Sequence, residues 1–171
     1  MTDTSFEVGE HAFYPVQGVV EVLRVEEKDM GGARQRFYVL SILDADRKVL
    51  VPVANAATIG LRKLVSLAEI EMLYAHLRDK PTTVDTQTWN RRARAYQEKI
   101  KTGSAFDLAE IVRELGWLRT HKTLSFGERR MLDTVKALFA KEIALASKKN
   151  EVSVRDEIDA LFVVSEGAKP S

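Results

Sequence analysis

A change in sequence pattern near residue 65 does most to limit the folds open to this chain. Beyond that point four segments begin with the pattern S-x-x-[DE], at Ser66, Ser104, Ser125 and Ser153. A serine in this position accepts hydrogen bonds from the free amides of a first helical turn, and the acidic side chain stabilises the positive end of the helix. Because apolar residues follow each segment at helical spacing, each is predicted to begin a helix.

A fifth helix is predicted to begin around Trp89 and to end before Gly103, since glycine often follows the last turn of a helix. Lys80-Pro81-Thr82-Thr83 separates it from the helix before. The pattern therefore predicts a compact bundle of five helices over residues 66–166 and a short tail over residues 167–171.

The first 65 residues have the pattern of short β-strands. Stretches rich in β-branched residues alternate with turn residues, and the pair Gly31-Gly32 offers the positive φ angles of a tight reversal. Pro52 lacks an amide proton, so it belongs at a strand end or on an edge strand. We predict an α+β chain whose residues 1–65 form a small SH3-like or Tudor-like antiparallel β-barrel. Its clearest strands are residues 18–27, 36–43 and 49–53.

Catalysis and metal binding find little support in the sequence. The chain has no cysteine, which excludes disulfides, thiolate metal sites and cysteine nucleophiles. Its three histidines, His11, His76 and His121, lie far apart and have no partner at metal-ligand spacing. No glycine-rich phosphate-binding motif and no nucleophile elbow is present. We expect no catalytic residue, no metal and no cofactor; an enzyme with an unrecognised site is a remote alternative.

Positive charge is concentrated in one segment of a nearly neutral chain. Residues 89–101 carry five basic side chains and one acidic side chain, whereas the net charge of all 171 residues is +1. An aromatic residue beside guanidinium groups can stack on bases while the charges hold phosphates. Trp89 lies at helical spacing from Ala93, Tyr96 and Ile100, which is also the pattern of a core residue of an amphipathic helix. The residues alone leave both interpretations open.

The β region is a poor candidate for binding nucleic acid, because it carries eight basic and nine acidic residues. Small barrels with exposed strand edges often bind another protein by extending its sheet. A purely structural domain is the alternative interpretation.

Several stretches of the chain match one known protein family in order and at similar spacing. In the first 65 residues they are Phe6-Glu7-Val8-Gly9-Glu10, Tyr14-Pro15-Val16-Gln17-Gly18-Val19, Phe37-Tyr38-Val39-Leu40, Val51-Pro52-Val53 and Gly60-Leu61-Arg62. In the helical region they are Thr88-Trp89-Asn90-Arg91-Arg92, Glu98-Lys99-Ile100-Lys101-Thr102-Gly103, Ala109-Glu110-Ile111-Val112-Arg113-Glu114-Leu115 and Leu124-Ser125-Phe126-Gly127-Glu128-Arg129-Arg130-Met131-Leu132. With these stretches the chain resembles the CarD/CdnL family of bacterial transcription regulators.

The resemblance implies a protein without catalytic activity that contacts promoter DNA through its helical domain. In this family a tryptophan enters the minor groove at the upstream edge of the transcription bubble and helps to keep the strands apart. The matching residue is Trp89, and the DNA-binding residues around it are expected to be Arg91, Arg92, Arg94 and Gln97.

The resemblance also implies that the Tudor-like domain binds the β subunit of bacterial RNA polymerase. The matching surface is expected to include Lys28, Val39, Leu50 and Pro52. Leu50 stands where some members have arginine, and Ala93 stands where many have a bulky residue. We expect a cytoplasmic monomer without a membrane-spanning segment. The alternative is an adaptor that docks on the polymerase, buries Trp89 and offers its helices to another protein.

Overall fold

The computed structural model describes residues 5–82 and 87–163, and the chain divides into two units. The first, here called the β unit, ends at Leu64, and the second, here called the helical unit, begins at Val65. The β unit contains a five-stranded antiparallel sheet, and the described part of the helical unit contains five α-helices. The predicted fold class is therefore confirmed. The predicted tail, residues 167–171, lies outside the described residues.

The sheet has the strand order β4-β3-β2-β1-β5, so that β4 and β5 form its edges. Pro52 is the last residue of the edge strand β4, and its position confirms the prediction made from its missing amide proton. A short 3₁₀ helix, Val53–Asn55, follows. The strands are β1 His11–Tyr14, β2 Gly18–Met30, β3 Ala33–Ile42, β4 Arg47–Pro52 and β5 Arg62–Lys63.

A long hairpin of β2 and β3 dominates the sheet, and its two-residue turn is the predicted glycine pair. Gly31 and Gly32 have φ angles of 61° and 86°, and Met30 pairs with Ala33 across the turn. Both angles lie in the left-handed region that glycine adopts readily. A register shift between Val22 and Arg24 marks a β-bulge in β2.

One face of the sheet carries the core of the β unit. On β3 this face presents Tyr38, Leu40 and Ile42, all buried. The Tyr38 hydroxyl accepts a hydrogen bond of 3.1 Å from the backbone amide of Phe6, whose ring packs edge-on against the Tyr38 ring. Because side chains alternate along a strand, Phe37 and Val39 belong to the opposite face.

Three of the predicted helix starts are confirmed. Ser66 and Ser125 form capping boxes with Glu69 and Glu128, and the Ser104 hydroxyl accepts a hydrogen bond from the Asp107 amide. The helices are α1 Leu67–Arg78, α2 Trp89–Thr102, α3 Ala105–Arg119, α4 Phe126–Ser147 and α5 Glu151–Ala160.

The fourth predicted start, Ser153, is wrong. Asn150 is the N-cap of α5, and its Oδ1 accepts hydrogen bonds from the amides of Val152 and Ser153. Asparagine caps helices as well as serine does. The preceding residues are compatible with the earlier start, because α4 ends at Ser147 and the following residue, Lys148, has a left-handed conformation that terminates the helix before Asn150. Ser153 consequently lies inside the first turn of α5.

Helix α3 packs against α1, α2 and α4 and provides much of the helical core. Trp117 on α3 is buried, and its Nε1 donates a 2.8 Å hydrogen bond to the carbonyl of Leu77 at the end of α1. Its ring meets Phe162 edge-on, with centroids 5.6 Å apart. Buried Glu142 on α4 accepts a 2.9 Å hydrogen bond from the Val65 amide, which ties the start of the unit to its longest helix.

Candidate nucleic-acid interface

Trp89 is the first residue of α2, which ends at Gly103 in a left-handed conformation with φ of 73°. The predicted helix and its stop are therefore confirmed. The amides of a first helical turn lack partners within the helix, so this end of α2 attracts negative charge. The tryptophan consequently lies at the end of the helix where an anionic ligand is favoured.

The indole of Trp89 is half-buried and rests against the first turn of α4. A Cβ atom at Gly127 would lie 2.6 Å from Nε1 and 2.8 Å from Cε2 of the indole, closer than real Cβ contacts come. The tryptophan therefore lies directly on the α4 backbone. On its other side its ring centroid is 6.2 Å from that of buried Tyr96, at an interplanar angle of 57°. The indole is partly packed and partly available to a ligand.

Arg92 is held inside the helical unit. Its guanidinium lies 5.6 Å from the Trp89 ring centroid and 5.9 Å from that of Tyr96. Its Nη1 donates a 2.9 Å hydrogen bond to Oε2 of Glu128, and only 11% of its side chain is exposed. Burial lowers the pKa of Arg92, but the hydrogen bonds and charge interactions with Glu128 and Tyr96 together outweigh burial and raise the pKa. The guanidinium stays charged at every relevant pH.

Glu128 connects α2 to the start of α4. Its Oε1 accepts a hydrogen bond from the Ser125 amide and lies 3.2 Å from Nζ of Lys122, while its Oε2 faces Arg92. Burial alone would raise the pKa of this carboxyl. The hydrogen bonds from the Ser125 backbone, Arg92 and Lys122 outweigh burial and lower the pKa to about 2. Glu128 is thus ionised at neutral pH and forms ion pairs with Arg92 and Lys122.

Tyr96 extends the same network to α3. Its hydroxyl donates a 2.8 Å hydrogen bond to Oε2 of Glu114 and lies 3.5 Å from Nη2 of Arg92. Burial, together with the nearby Glu114 carboxylate, raises the pKa of Tyr96, so its hydroxyl stays protonated. The residues beneath Trp89 therefore form one connected set of rings and charges that links three helices.

The other expected DNA-binding residues lie on the exposed side of α2. Arg91, Arg94 and Gln97 are all exposed, and their spacing of three residues makes them neighbours along the helix surface. Within the described part of the chain, neither of these arginines forms an ion pair. The structure thus brings Arg91, Arg94 and Gln97 together in one exposed strip, and it separates Arg92 from them.

The four residues expected to meet the polymerase share one face of the β sheet. Leu50 pairs with Val39, Pro52 lies two residues beyond Leu50, and Lys28 pairs with Gln35 on the same face. Leu50 is 46% exposed, whereas Val39 is 3% exposed and so supports this surface from within. Gln35, the partner of Lys28, lies four residues from Val39 along β3, which is about 13 Å in an extended strand. We call the surface of Leu50 and Pro52 on edge strand β4 the β4 face.

Sequence reasoning did not identify the residues that hold Trp89. Gly127 and Glu128 follow the tryptophan by more than 35 residues, and nothing local links them to it. The glycine on the first turn of α4 was a usable signal, because glycine is unfavourable in helices unless a close approach requires it.

The described residues, 5–82 and 87–163, offer neither a metal site nor a membrane-spanning helix. Within these ranges no group of three or more histidine, cysteine or acidic side chains could hold a metal ion. In the same part of the chain, none of the helices combines the length and the hydropathy needed to cross a bilayer.

Comparisons with known proteins match both units of the chain. Residues 6–65 match the model of the CarD-like/TRCF RID domain, and residues 72–159 match the model of the CarD C-terminal domain. YdeB of Bacillus subtilis (strain 168), named as a transcription factor, is 23% identical over 150 residues, which cover 88% of this chain and 97% of YdeB. The solved structure of CdnLNt from Myxococcus xanthus is 41% identical and covers 39% of this chain and 93% of its own, with a TM-score of 0.33.

Proposed function

We propose a function that starts from one established point: this chain belongs to the CarD/CdnL family of transcription factors. We propose that its β unit binds the β subunit of bacterial RNA polymerase and that its helical unit contacts promoter DNA. The DNA contact lies in the minor groove at the upstream edge of the transcription bubble, where it stabilises the open complex. Such a protein acts in the cytoplasm, as a monomer and without catalysis.

The single observation that carries the DNA contact is the arrangement of the start of α2. Trp89 keeps one part of its indole uncovered, and the exposed strip of Arg91, Arg94 and Gln97 runs along the same helix. An apolar ring that enters between base steps costs a few kcal/mol of unstacking on an intact duplex. At the edge of a bubble the strands are already partly unstacked, so the cost is smaller. The arginines then hold the phosphates on either side.

The small number of exposed charges explains why a polymerase-binding unit is needed. Each phosphate contact contributes to affinity, but it does so weakly and in a salt-dependent way. The two arginines of this strip cannot by themselves hold a chain whose net charge is +1 on DNA at physiological salt. Docking of the β unit raises the effective concentration of the helical unit at the promoter to the order of millimolar. A weak contact is then sufficient.

The β4 face supports the proposed polymerase contact. β4 is an edge strand of the sheet, and the outer side of an edge strand can accept a strand from a partner. Leu50 on this edge is an exposed apolar side chain, which favours a partner with an apolar surface. Lys28 is exposed on the same face, further along the hairpin.

Two variants test the division between the units. Leu50→Asp places a charge on the β4 face and should weaken binding to purified RNA polymerase by at least tenfold, whereas Trp89→Ala should leave this binding unchanged. Val8→Asp, the same kind of change at an apolar residue of the β unit that is 64% exposed and lies outside the sheet, is the matched control. If both variants bind polymerase normally, the β4 face is not the docking surface. If Trp89→Ala also leaves the open complex unchanged, the polymerase-docked adaptor without a DNA contact becomes the better account.

A further inference from the structure

We propose that Arg92 is a positioning residue: together with Gly127 and Glu128 it fixes the indole of Trp89 in the orientation used at the bubble edge and makes no phosphate contact. This inference rests on the proposed function of Trp89. It gives Arg92 a role different from that of Arg91 and Arg94, which the sequence places in the same basic group.

Gly127 provides the surface on which the indole lies. It is the second residue of α4, where alanine would be the better helix former. Every substitution adds a Cβ, and here a Cβ would come within 2.6–3.1 Å of three indole atoms. Only glycine lets the ring approach the α4 backbone this closely. A side chain at this position would push the indole outward and release it from its orientation.

Arg92 holds the indole from the side of α2. Its guanidinium lies within 6 Å of the centroids of both Trp89 and Tyr96, a distance at which a cation attracts the face of a ring. The Glu128 carboxylate, 2.9 Å from Nη1, keeps the guanidinium in this place, and its own side chain is only 3% exposed. Arg92 could reach a phosphate only by abandoning a buried charge partner, which is strongly unfavourable.

The consequence for function is preorganisation. An indole that is already fixed loses little conformational freedom when it enters the minor groove. Release of the indole should therefore weaken the DNA contact by about three- to tenfold, the usual effect of immobilising one side chain. This loss has a signature that differs from the loss of a phosphate contact, because it does not depend on salt.

Salt dependence is the first test. The apparent affinity of the full chain for a polymerase–promoter complex is measured at several salt concentrations, each variant against the wild type. Arg94→Met removes a phosphate contact and should reduce the slope of log affinity against log salt by about 0.7–0.9. The double variant Arg92→Met/Glu128→Gln keeps the net charge of the chain. It should lower affinity about three- to tenfold at every salt concentration and leave the slope unchanged.

Replacement by lysine gives a second discrimination. A lysine still binds phosphate as a point charge, but it lacks the planar group that stacks on rings. Arg94→Lys should therefore behave as the wild type, whereas Arg92→Lys should lose about as much affinity as the double variant. If Arg92→Lys retains full affinity, or if the double variant reduces the salt slope by a full contact, Arg92 contacts phosphate and the proposal is overturned.

Fluorescence of the free protein tests the positioning without any DNA. Subtraction of the Trp89→Phe spectrum removes the contribution of Trp117. The remaining Trp89 emission should shift to the red and become more accessible to acrylamide in both Arg92→Lys and Gly127→Ala. Circular dichroism at 222 nm checks that these variants are folded; Gly127→Ala introduces a better helix former, so it is expected to retain its helices. Unchanged quenching in both variants would refute the positioning role.

The two proposals fail in different ways. If Trp89→Ala has no effect on the open complex, the proposed function fails, while the quenching experiment can still show a positioned indole. If Trp89→Ala shortens the lifetime of the open complex but Arg92→Lys and Gly127→Ala do not, the function stands and the positioning role is lost.

Discussion

Glu128 offers a prediction whose magnitude follows from its surroundings. It is a carboxylate with 3% of its side chain exposed, between Arg92 at 2.9 Å and Lys122 at 3.2 Å. These partners and the Ser125 backbone hold its pKa at about 2, against an ordinary value of 4.5. Glu128→Gln replaces the charged carboxylate by a neutral amide of nearly the same shape, which keeps one accepting oxygen and turns the other into a donor. The variant therefore removes the charge and one of the two accepting oxygens, much as protonation of the carboxyl does.

The lowered pKa means that ionised Glu128 stabilises the folded state above pH 4.5, and that this stabilisation is lost as the pH falls through about 2. At roughly 1.4 kcal/mol per pKa unit, the contribution at pH 7 is on the order of 3 kcal/mol. It falls to about 1 kcal/mol at pH 3 and becomes smaller still at pH 2. Since glutamine resembles the protonated glutamic acid, the difference in the free energy of unfolding between Glu128→Gln and the wild type should also shrink as the pH falls.

The assay is urea unfolding followed by circular dichroism at 222 nm, which reports on the helical unit, at pH 7 and at pH 3. Glu98→Gln is the matched control, because Glu98 is 70% exposed and its ion pair with Lys101 is on the surface. This control should change the free energy of unfolding by less than about 0.5 kcal/mol at either pH. A difference between Glu128→Gln and the wild type that is equal at pH 7 and pH 3 would refute the assignment of a charged, buried Glu128.

Three further substitutions test the packing of the helical unit, each by thermal or urea unfolding. Trp117→Phe removes the donor to the Leu77 carbonyl and should cost about 1–3 kcal/mol; a smaller loss would mean that water replaces the indole. Gly116→Ala places a Cβ 2.6 Å from the Phe162 ring and should cost about 1–3 kcal/mol. Combination with Phe162→Leu should restore part of this loss, and a double variant that loses the sum of the two single losses would contradict this contact. Glu142→Ala deprives the Val65 amide of its acceptor and should cost at least about 2 kcal/mol. An unchanged free energy of unfolding would argue against this hydrogen bond.

The elements that could be predicted from the sequence are those that local patterns determine. The caps at Ser66, Ser104 and Ser125 have their hydrogen-bond partners three residues away, so the signal and its cause lie in one turn. The turn at Gly31-Gly32 is local in the same sense.

Elements that depend on distant partners were missed or misplaced. The strand β5 has only two residues, and its pairing with β1 connects positions about 50 residues apart. No local pattern marks so short a strand. The misplaced helix start at Ser153 has a local cause instead, because Asn150, three residues earlier, is an equally good N-cap and is the residue that caps α5.

The candidate site divides in the same way. Trp89 and its arginines were found because an aromatic residue and a cluster of charges stand together in the sequence. Sequence alone could not separate Arg92 from Arg91 and Arg94, since its partner Glu128 is 36 residues away on another helix. The half-burial of Trp89 has the same cause, because Gly127 determines it.

The central claim is that Trp89 keeps the strands apart at the upstream edge of the bubble, and one comparison of open-complex lifetimes tests it most directly. The lifetime is measured with purified bacterial RNA polymerase, with and without this protein, on a fully complementary promoter and on one with mismatched bases at that edge. The wild type should lengthen the lifetime on the complementary promoter and have little effect on the mismatched one, where the strands cannot re-pair. Trp89→Ala should have little effect on either. An equal effect of the wild type on both promoters, or a full effect of Trp89→Ala, would contradict the account.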